Sequence, residues 1–282
     1  MDGSHYEPAL RRVLWELRSY LGDVVVIGGW VPYLYRQYGG FTTWTGRTSL
    51  TTEVDVLVHR PLPPGDRASI PEILRGSGFT PSADGVGSAV WLGDVQAGEM
   101  IEFLVPHTGT ARQMGDTVPV AAQTGLRAIS LPGLGLMQRY TRPVPLPVDT
   151  DAGPGVLDVT VPWLGAYVVN KASTFTARQP HATGGSKRPK DLLYLRDIAA
   201  AGGEVLDQVA RDLRTMAKDR HAAGAIGIAA SHLRLTVNGS YPAEMDAAVA
   251  ALRERDGGRS GAAEQADFRG RLADVLDVLE DG

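Results

Sequence analysis

The chain has 282 residues, 43% hydrophobic and 21% charged, with a net charge of -4 and a pI near 5.9. That suits a soluble globular protein of one large domain or two small ones, and it excludes a general basic surface for coating nucleic acid. With no cysteine, disulfides, cysteine–zinc sites and a thiol nucleophile are all excluded, and a cytoplasmic setting is expected. No apolar run reaches the ~18 residues of a membrane span. The start has no basic segment followed by an apolar one, so no secretory signal is expected.

Residues 6–21 carry Leu10, Val13, Leu14, Leu17 and Leu21 at helical spacing, which predicts an amphipathic helix. "DVVVIGGW" is a β-branched strand that stops at two glycines, and a second helix opens near Trp30, with Pro32 tolerated in its first turn. "GGFTTWTGRTS" reads as a polar connection and "TEVDVLV" as the next strand. "PLPPGD" breaks it before a short helix over 67–76. "SAVWLG" and "EMIEFLV" are strand-like runs around a turn at "DVQAGE", and more short runs follow at 116–122, 126–131 and 156–161. The Pro-rich "TRPVPLPVDTDAGPG" between the last two predicts an exposed loop. From 163 onward the pattern is helical. Helices are expected over 163–178, from "KDLLYLRDIAAA" after the loop "QPHATGGSKRP", and near 204–220, 222–232, 242–255 and 264–280. The fold class is therefore α+β, with a mixed α and β part over residues 1–162 and a helical part over 163–282.

Gly28 and Gly29 end a strand before a helix. Glycines there let the backbone approach a phosphate, and a helix N-terminus favours an anion. A plain turn without a ligand explains the pair at least as well. Glu53 and Asp55 alternate with valines, so both carboxylates share one strand face. A divalent metal would cancel their repulsion, and Mg²⁺ prefers carboxylate and phosphate oxygens. A solvated edge strand is the alternative. Glu102 lies between Ile101 and Phe103. Either it is a buried acid that needs a partner, completing a three-carboxylate cluster, or it faces solvent from a half-exposed strand.

Downstream, Lys171 falls in a helix, with Arg178 seven residues on. Lys187, Arg188 and Lys190 gather before Asp191. Such cations could hold nucleotide phosphates, although Lys187 suits a solvated loop better. Trp30, Tyr33 and Tyr35 could stack on a base, with a core role the better fit for Trp30. Thr51 and Thr52 could bond a phosphate or be simple strand formers. The histidines, at 5, 59, 107, 181, 221 and 232, are scattered and form no HExxH. No G-x-S-x-G elbow or P-loop is present.

Taken together, strand–Gly28–Gly29–helix, then Glu53-x-Asp55 in a strand, then Glu102 in a later strand resembles the nucleotidyltransferase superfamily of the DNA-polymerase-β type. "RTSLTTEVDVLV" is similar to its Arg-Thr-x-Asp-h-Asp phrase. Lys171 with the later "RPKDLLYL" resembles the AbiEii/MenT-like toxin branch. The likeness spans roughly residues 20–200. Position 53 is Glu where the superfamily uses Asp, the stretch from Gly29 to Glu53 is longer than usual, and "GGW" is also similar to small-molecule, antibiotic-modifying members.

The resemblance implies a nucleotidyltransferase fold, a mixed twisted sheet flanked by helices, with a helical domain completing the site through Lys171 and Asp191. It implies Mg²⁺, with Mn²⁺ as an alternative, held by Glu53, Asp55 and Glu102, and an NTP as substrate. Gly28 and Gly29 would cradle its phosphates. Lys171 would neutralise the triphosphate, with Arg47, Thr52 and Lys190 as further nucleotide contacts. Asp191 would orient Lys171 or an acceptor group, and Glu102 would serve as general base. Partners that the resemblance allows are a tRNA 3′ end and a cognate antitoxin, with a protein hydroxyl as another acceptor, and the lack of a long apolar run argues against a membrane. A small-molecule acceptor, or a non-catalytic nucleotide- or partner-binding module of the same fold, are the alternatives.

Overall fold

In the computed structural model the described residues are 6–44, 47–48, 51–82, 89–107, 115–150, 153–175, 188–256 and 262–281. They fall into two compact units: Asp2–Gly39 with Leu50–Pro162, and Gly40–Ser49 with Trp163–Gly282. The structure is mixed α/β, as the sequence predicts, with a mixed sheet flanked by helices and a helical C-terminal region. No helix among the described residues is long and apolar enough to cross a membrane.

The first unit opens with helix α1 (Glu7–Glu16), whose Leu10, Val13 and Leu14 are fully buried. Strand β1 (Val24–Ile27) leads into helix α2 (Trp30–Tyr38). The two helices are tied through Glu7, which accepts hydrogen bonds from Arg11, Tyr33 and Tyr38. Burial pushes the Glu7 carboxyl up, but these bonds outweigh it and hold the group below its ordinary value. Strand β2 (Glu53–Val58), helix α3 (Ile70–Gly76), β3 (Thr80–Pro81), β4 (Val90–Leu92) and β5 (Met100–Pro106) follow. The sheet order is β1-β2-β5-β4-β3. β2 runs antiparallel to β1 and parallel to β5. The C-terminal half of β5 also pairs with β7 (Arg127–Leu131), which pairs with β6 (Thr117–Pro119).

The Pro-rich stretch corrects the expectation of a loop. Beyond a short helix α4 (Leu134–Arg139), not anticipated, residues Thr141–Thr150 form strand β8, paired along its length with β9 (Gly153–Pro162). Proline is normally a strand breaker because it lacks an N–H. Here Pro143, Pro145 and Pro147 are spaced by two, so all three sit at positions whose missing N–H would point away from the partner strand. The same period puts the prolines on the exposed face and Val144, Leu146 and Val148 on the buried one.

The second unit is helical: α5 (Leu164–Thr174), α6 (Arg188–Ala200), α7 (Gly203–Met216), α8 (Arg220–Val237), α9 (Pro242–Asp256) and α10 (Ala262–Asp281). The polar connection 40–48 belongs with these helices. Thr42 and Thr43 both donate to Glu204 at the start of α7, and Arg47 donates to the Arg255 carbonyl of α9 at 3.2 Å.

Candidate active site

The acidic face is built by two neighbouring strands. In β2, Val54, Val56 and Val58 are fully buried, each contributing about 1.5–3 kcal/mol by leaving water. The alternation leaves Glu53 and Asp55 on the other face, both half-buried. β5 repeats the pattern, with Ile101 and Phe103 inside and Glu102 half-buried. The strands are parallel, with Asp55 the register partner of Glu102 and Glu53 that of Met100. Register partners on parallel strands project to the same face, so all three carboxylates share it. Beyond Asp55 and Glu102 both strands turn apolar on both faces, through Leu57 and Val58 and through Leu104 and Val105. The acidic face is thus confined to the first halves of β2 and β5. Glu102 is not the buried acid that its apolar neighbours allowed. It is partly exposed, like Glu53 and Asp55.

Gly28 closes the site from β1. The β1–β2 ladder ends on the pair Ile27–Asp55, which brings the following turn beside the acids. Gly28 has φ +72°, and a Cβ built there would lie 1.9 Å from Asp55 Oδ2. Glycine is therefore required twice, for its backbone conformation and for the carboxylate resting against it. Gly29, the N-cap of α2, has φ -69°, a conformation open to any residue. We predict that Gly28→Ala costs about 2–4 kcal/mol, from the left-handed backbone and overpacking together. The expected signature in urea denaturation is a lower midpoint with unchanged slope.

Among the described residues, no three His, Asp or Glu side chains converge into a ready-made metal cluster. The donor chemistry nonetheless fits Mg²⁺. That ion takes one or two carboxylates and fills its remaining positions with phosphate oxygens and water, and Asp55 with Glu102 supply such a pair.

The aromatic residues do not form a base platform. Trp30 and Tyr35 are fully buried and Tyr33 nearly so. Tyr35 donates to the Pro162 carbonyl, Tyr33 to Glu7, and Trp30 Nε1 to the Glu53 carbonyl at 3.0 Å. Thr51 is buried, and its hydroxyl accepts from the Glu53 N–H at 3.2 Å. Thr52 is exposed, with its hydroxyl 3.4 Å from Glu53 Oε2.

In the helical unit, Lys171 and Asp191 form an ion pair. Lys171 Nζ donates to Asp191 Oδ1 at 2.9 Å, and both residues are buried, Asp191 at 1% exposure. The ammonium also lies 5.4 Å and 5.0 Å from the ring centroids of Tyr167 and Tyr194. Sequence reasoning passed over both tyrosines, although Tyr167 stands four residues before Lys171 and Tyr194 three after Asp191, the spacings that share a helix face. It also passed over Asp212 of α7. Asp212 accepts from the Gly165 N–H at 3.1 Å and so caps α5, the helix that carries Lys171. Lys190 is exposed in the first turn of α6, and Arg47 is exposed with its guanidinium on the Arg255 carbonyl. His5, Arg178, His181 and Lys187 lie outside the described residues, as does the side chain of Arg188.

The arrangement offers a glycine turn, a helix start and an acidic face around one strand pair. Such a face can take a phosphate-bound cation. No curated protein and no solved structure matches the chain. A family model described as nucleotidyltransferase matches residues 9–218, from α1 through α7, leaving α8–α10 outside. The match covers well over half of the sequence, and the chain belongs to this nucleotidyltransferase family.

Proposed function

We propose that the chain is a Mg²⁺-dependent enzyme that moves an NMP from an NTP to a hydroxyl acceptor. The observation that carries this reading is the pairing of Asp55 with Glu102 on one strand face, with Glu53 beside them and Gly28 against Asp55. Asp55 and Glu102, with Glu53, are the residues that would hold the ion. Mn²⁺ suits the same oxygen donors. When bound, the ion supplies a Lewis acid that neutralises charge on the phosphates. The start of α2 contributes backbone N–H groups and the positive end of the helix dipole to the triphosphate. Glu102 takes the proton of the acceptor hydroxyl as it attacks the α-phosphorus, and pyrophosphate leaves. Lys171 neutralises triphosphate charge, with Asp191 fixing its ammonium. Lys190, Arg47 and Thr52 are secondary nucleotide contacts.

For the acceptor we infer a tRNA 3′ end, with the protein acting as the toxin of a toxin–antitoxin pair. The support is the likeness of Lys171 and "RPKDLLYL" to the AbiEii/MenT-like branch. The glutamate at position 53 favours a second reading, a nucleotide-binding module without turnover. "GGW" favours a small-molecule acceptor. Calorimetry separates turnover-competent binding from the module: NTP should bind more tightly with Mg²⁺ than with EDTA, and equal affinity in both would sink the metal site. Incubation with α-labelled NTP and total tRNA then tests the acceptor. Label at the tRNA 3′ end supports the toxin reading, and label only on added aminoglycoside would replace it.

A further inference from the structure

Glu53 opens β2 at a place where the ladder to β1 has already stopped, since the last register pair is Ile27 with Asp55. Side chains take over from the ladder there. The carbonyl of Glu53 accepts the indole N–H of Trp30 at 3.0 Å, and its N–H donates to Thr51 Oγ1 at 3.2 Å. Both clamping residues are buried, Trp30 completely and Thr51 to 6% exposure. Tyr33 stands edge-on to the Trp30 ring, with centroids 5.4 Å apart and planes at 88°, which holds the indole orientation.

We propose that Trp30 is a positioning residue for the acidic pair, acting with Thr51 as a clamp on the main chain of Glu53. The inference rests on the metal-site reading of β2 and β5. Its physical basis is the longer side chain of glutamate. One more rotatable bond than aspartate widens the region its carboxylate can reach, and the ordering cost of placing it grows accordingly. Fixing Glu53 at both its N–H and its carbonyl removes main-chain freedom from that search. Trp30 directly follows Gly28 and Gly29, so one short segment shapes the turn against Asp55 and anchors the residue two positions before it.

Removing the indole N–H while keeping a buried ring is the selective test, and Trp30→Phe does so. The readout is Mn²⁺ affinity in the presence of a non-hydrolysable NTP analogue, followed by electron paramagnetic resonance of free Mn²⁺. Supporting groups of this kind contribute about 10- to 100-fold to metal affinity, so Trp30→Phe should weaken binding by that factor. In the Glu53→Gln background the same change should add less than about twofold, because the clamp acts through Glu53. A merely structural role for Trp30 would make the two losses multiply, and that result would overturn the proposal, as would unchanged Mn²⁺ affinity in Trp30→Phe. Should Trp30→Phe fail to fold, Thr51→Val removes the other clamp point and carries the same expectations. If the wild-type chain binds the analogue but no Mn²⁺, the metal-site reading itself fails and the clamp proposal falls with it. That outcome is distinct from failure of the clamp alone, in which the wild type binds Mn²⁺ normally.

Discussion

Asp55→Asn is expected to abolish nucleotidyl transfer, by on the order of 1000-fold, while leaving the protein folded. Asp55 is the acid at the centre of the strand pair. It rests against Gly28, pairs in register with Glu102 and shares its face with Glu53. A metal ion at such a face stabilises the transition state by several kcal/mol, which sets the expected loss. Asparagine keeps the shape and removes one of three like charges on the face, so stability should hold within about 1 kcal/mol. Transfer from labelled NTP, measured beside thermal unfolding, checks both parts. A variant that keeps its activity within tenfold would show that the acidic face is not the metal site.

A large effect on stability is also expected at Asp191. Its carboxylate is buried against Lys171 Nζ at 2.9 Å, and Lys171 is itself only 5% exposed. Asp191→Ala removes this ion-pair partner from a buried lysine that also lies over the rings of Tyr167 and Tyr194. Removing one partner of a buried ion pair costs about 3–5 kcal/mol, and cation–π contact offsets about 0.5–2 kcal/mol of it. A net loss of about 2–4 kcal/mol should appear in urea denaturation. Lys171→Met combined with Asp191→Leu removes both charges and should restore most of the stability, since apolar replacements of buried pairs are often neutral. The double variant should nonetheless be inactive if Lys171 serves the triphosphate. Recovered stability with recovered activity would assign the pair a purely structural role.

The strands that carry the acids were legible because their signal is local. Valines at 54, 56 and 58 bury one face of β2 and so place Glu53 and Asp55 on the other. The pairing of Asp55 with Glu102 was not legible. Parallel register is set by contacts across nearly fifty residues, and no local pattern encodes it. Glu102 shows the consequence, since its apolar neighbours are equally compatible with burial and with the partial exposure it has. β8 was hidden for a different reason. Proline spacing reads as a breaker unless the strand is known to have one unpaired side, where Pro143, Pro145 and Pro147 are harmless. The segment 40–48 looked like a polar connection because threonine and glycine dominate it. Phe41 and Trp44, whose rings stand edge to face 6.1 Å apart, were the apolar residues in it. The Trp30 clamp could not be read at all, because hydrophobic patterning identifies a buried ring without saying where its N–H goes.

Nucleotidyl transfer itself is tested most directly by two labels on one substrate. Each NTP, labelled in parallel at the α- or the γ-phosphorus, is incubated with the protein, Mg²⁺ and total tRNA. The account predicts that α-label enters the acceptor while γ-label leaves as pyrophosphate in equal amount, and that neither occurs with Asp55→Asn. Entry of γ-label into the acceptor, release of orthophosphate alone, or no transfer from any NTP by the folded protein would contradict it.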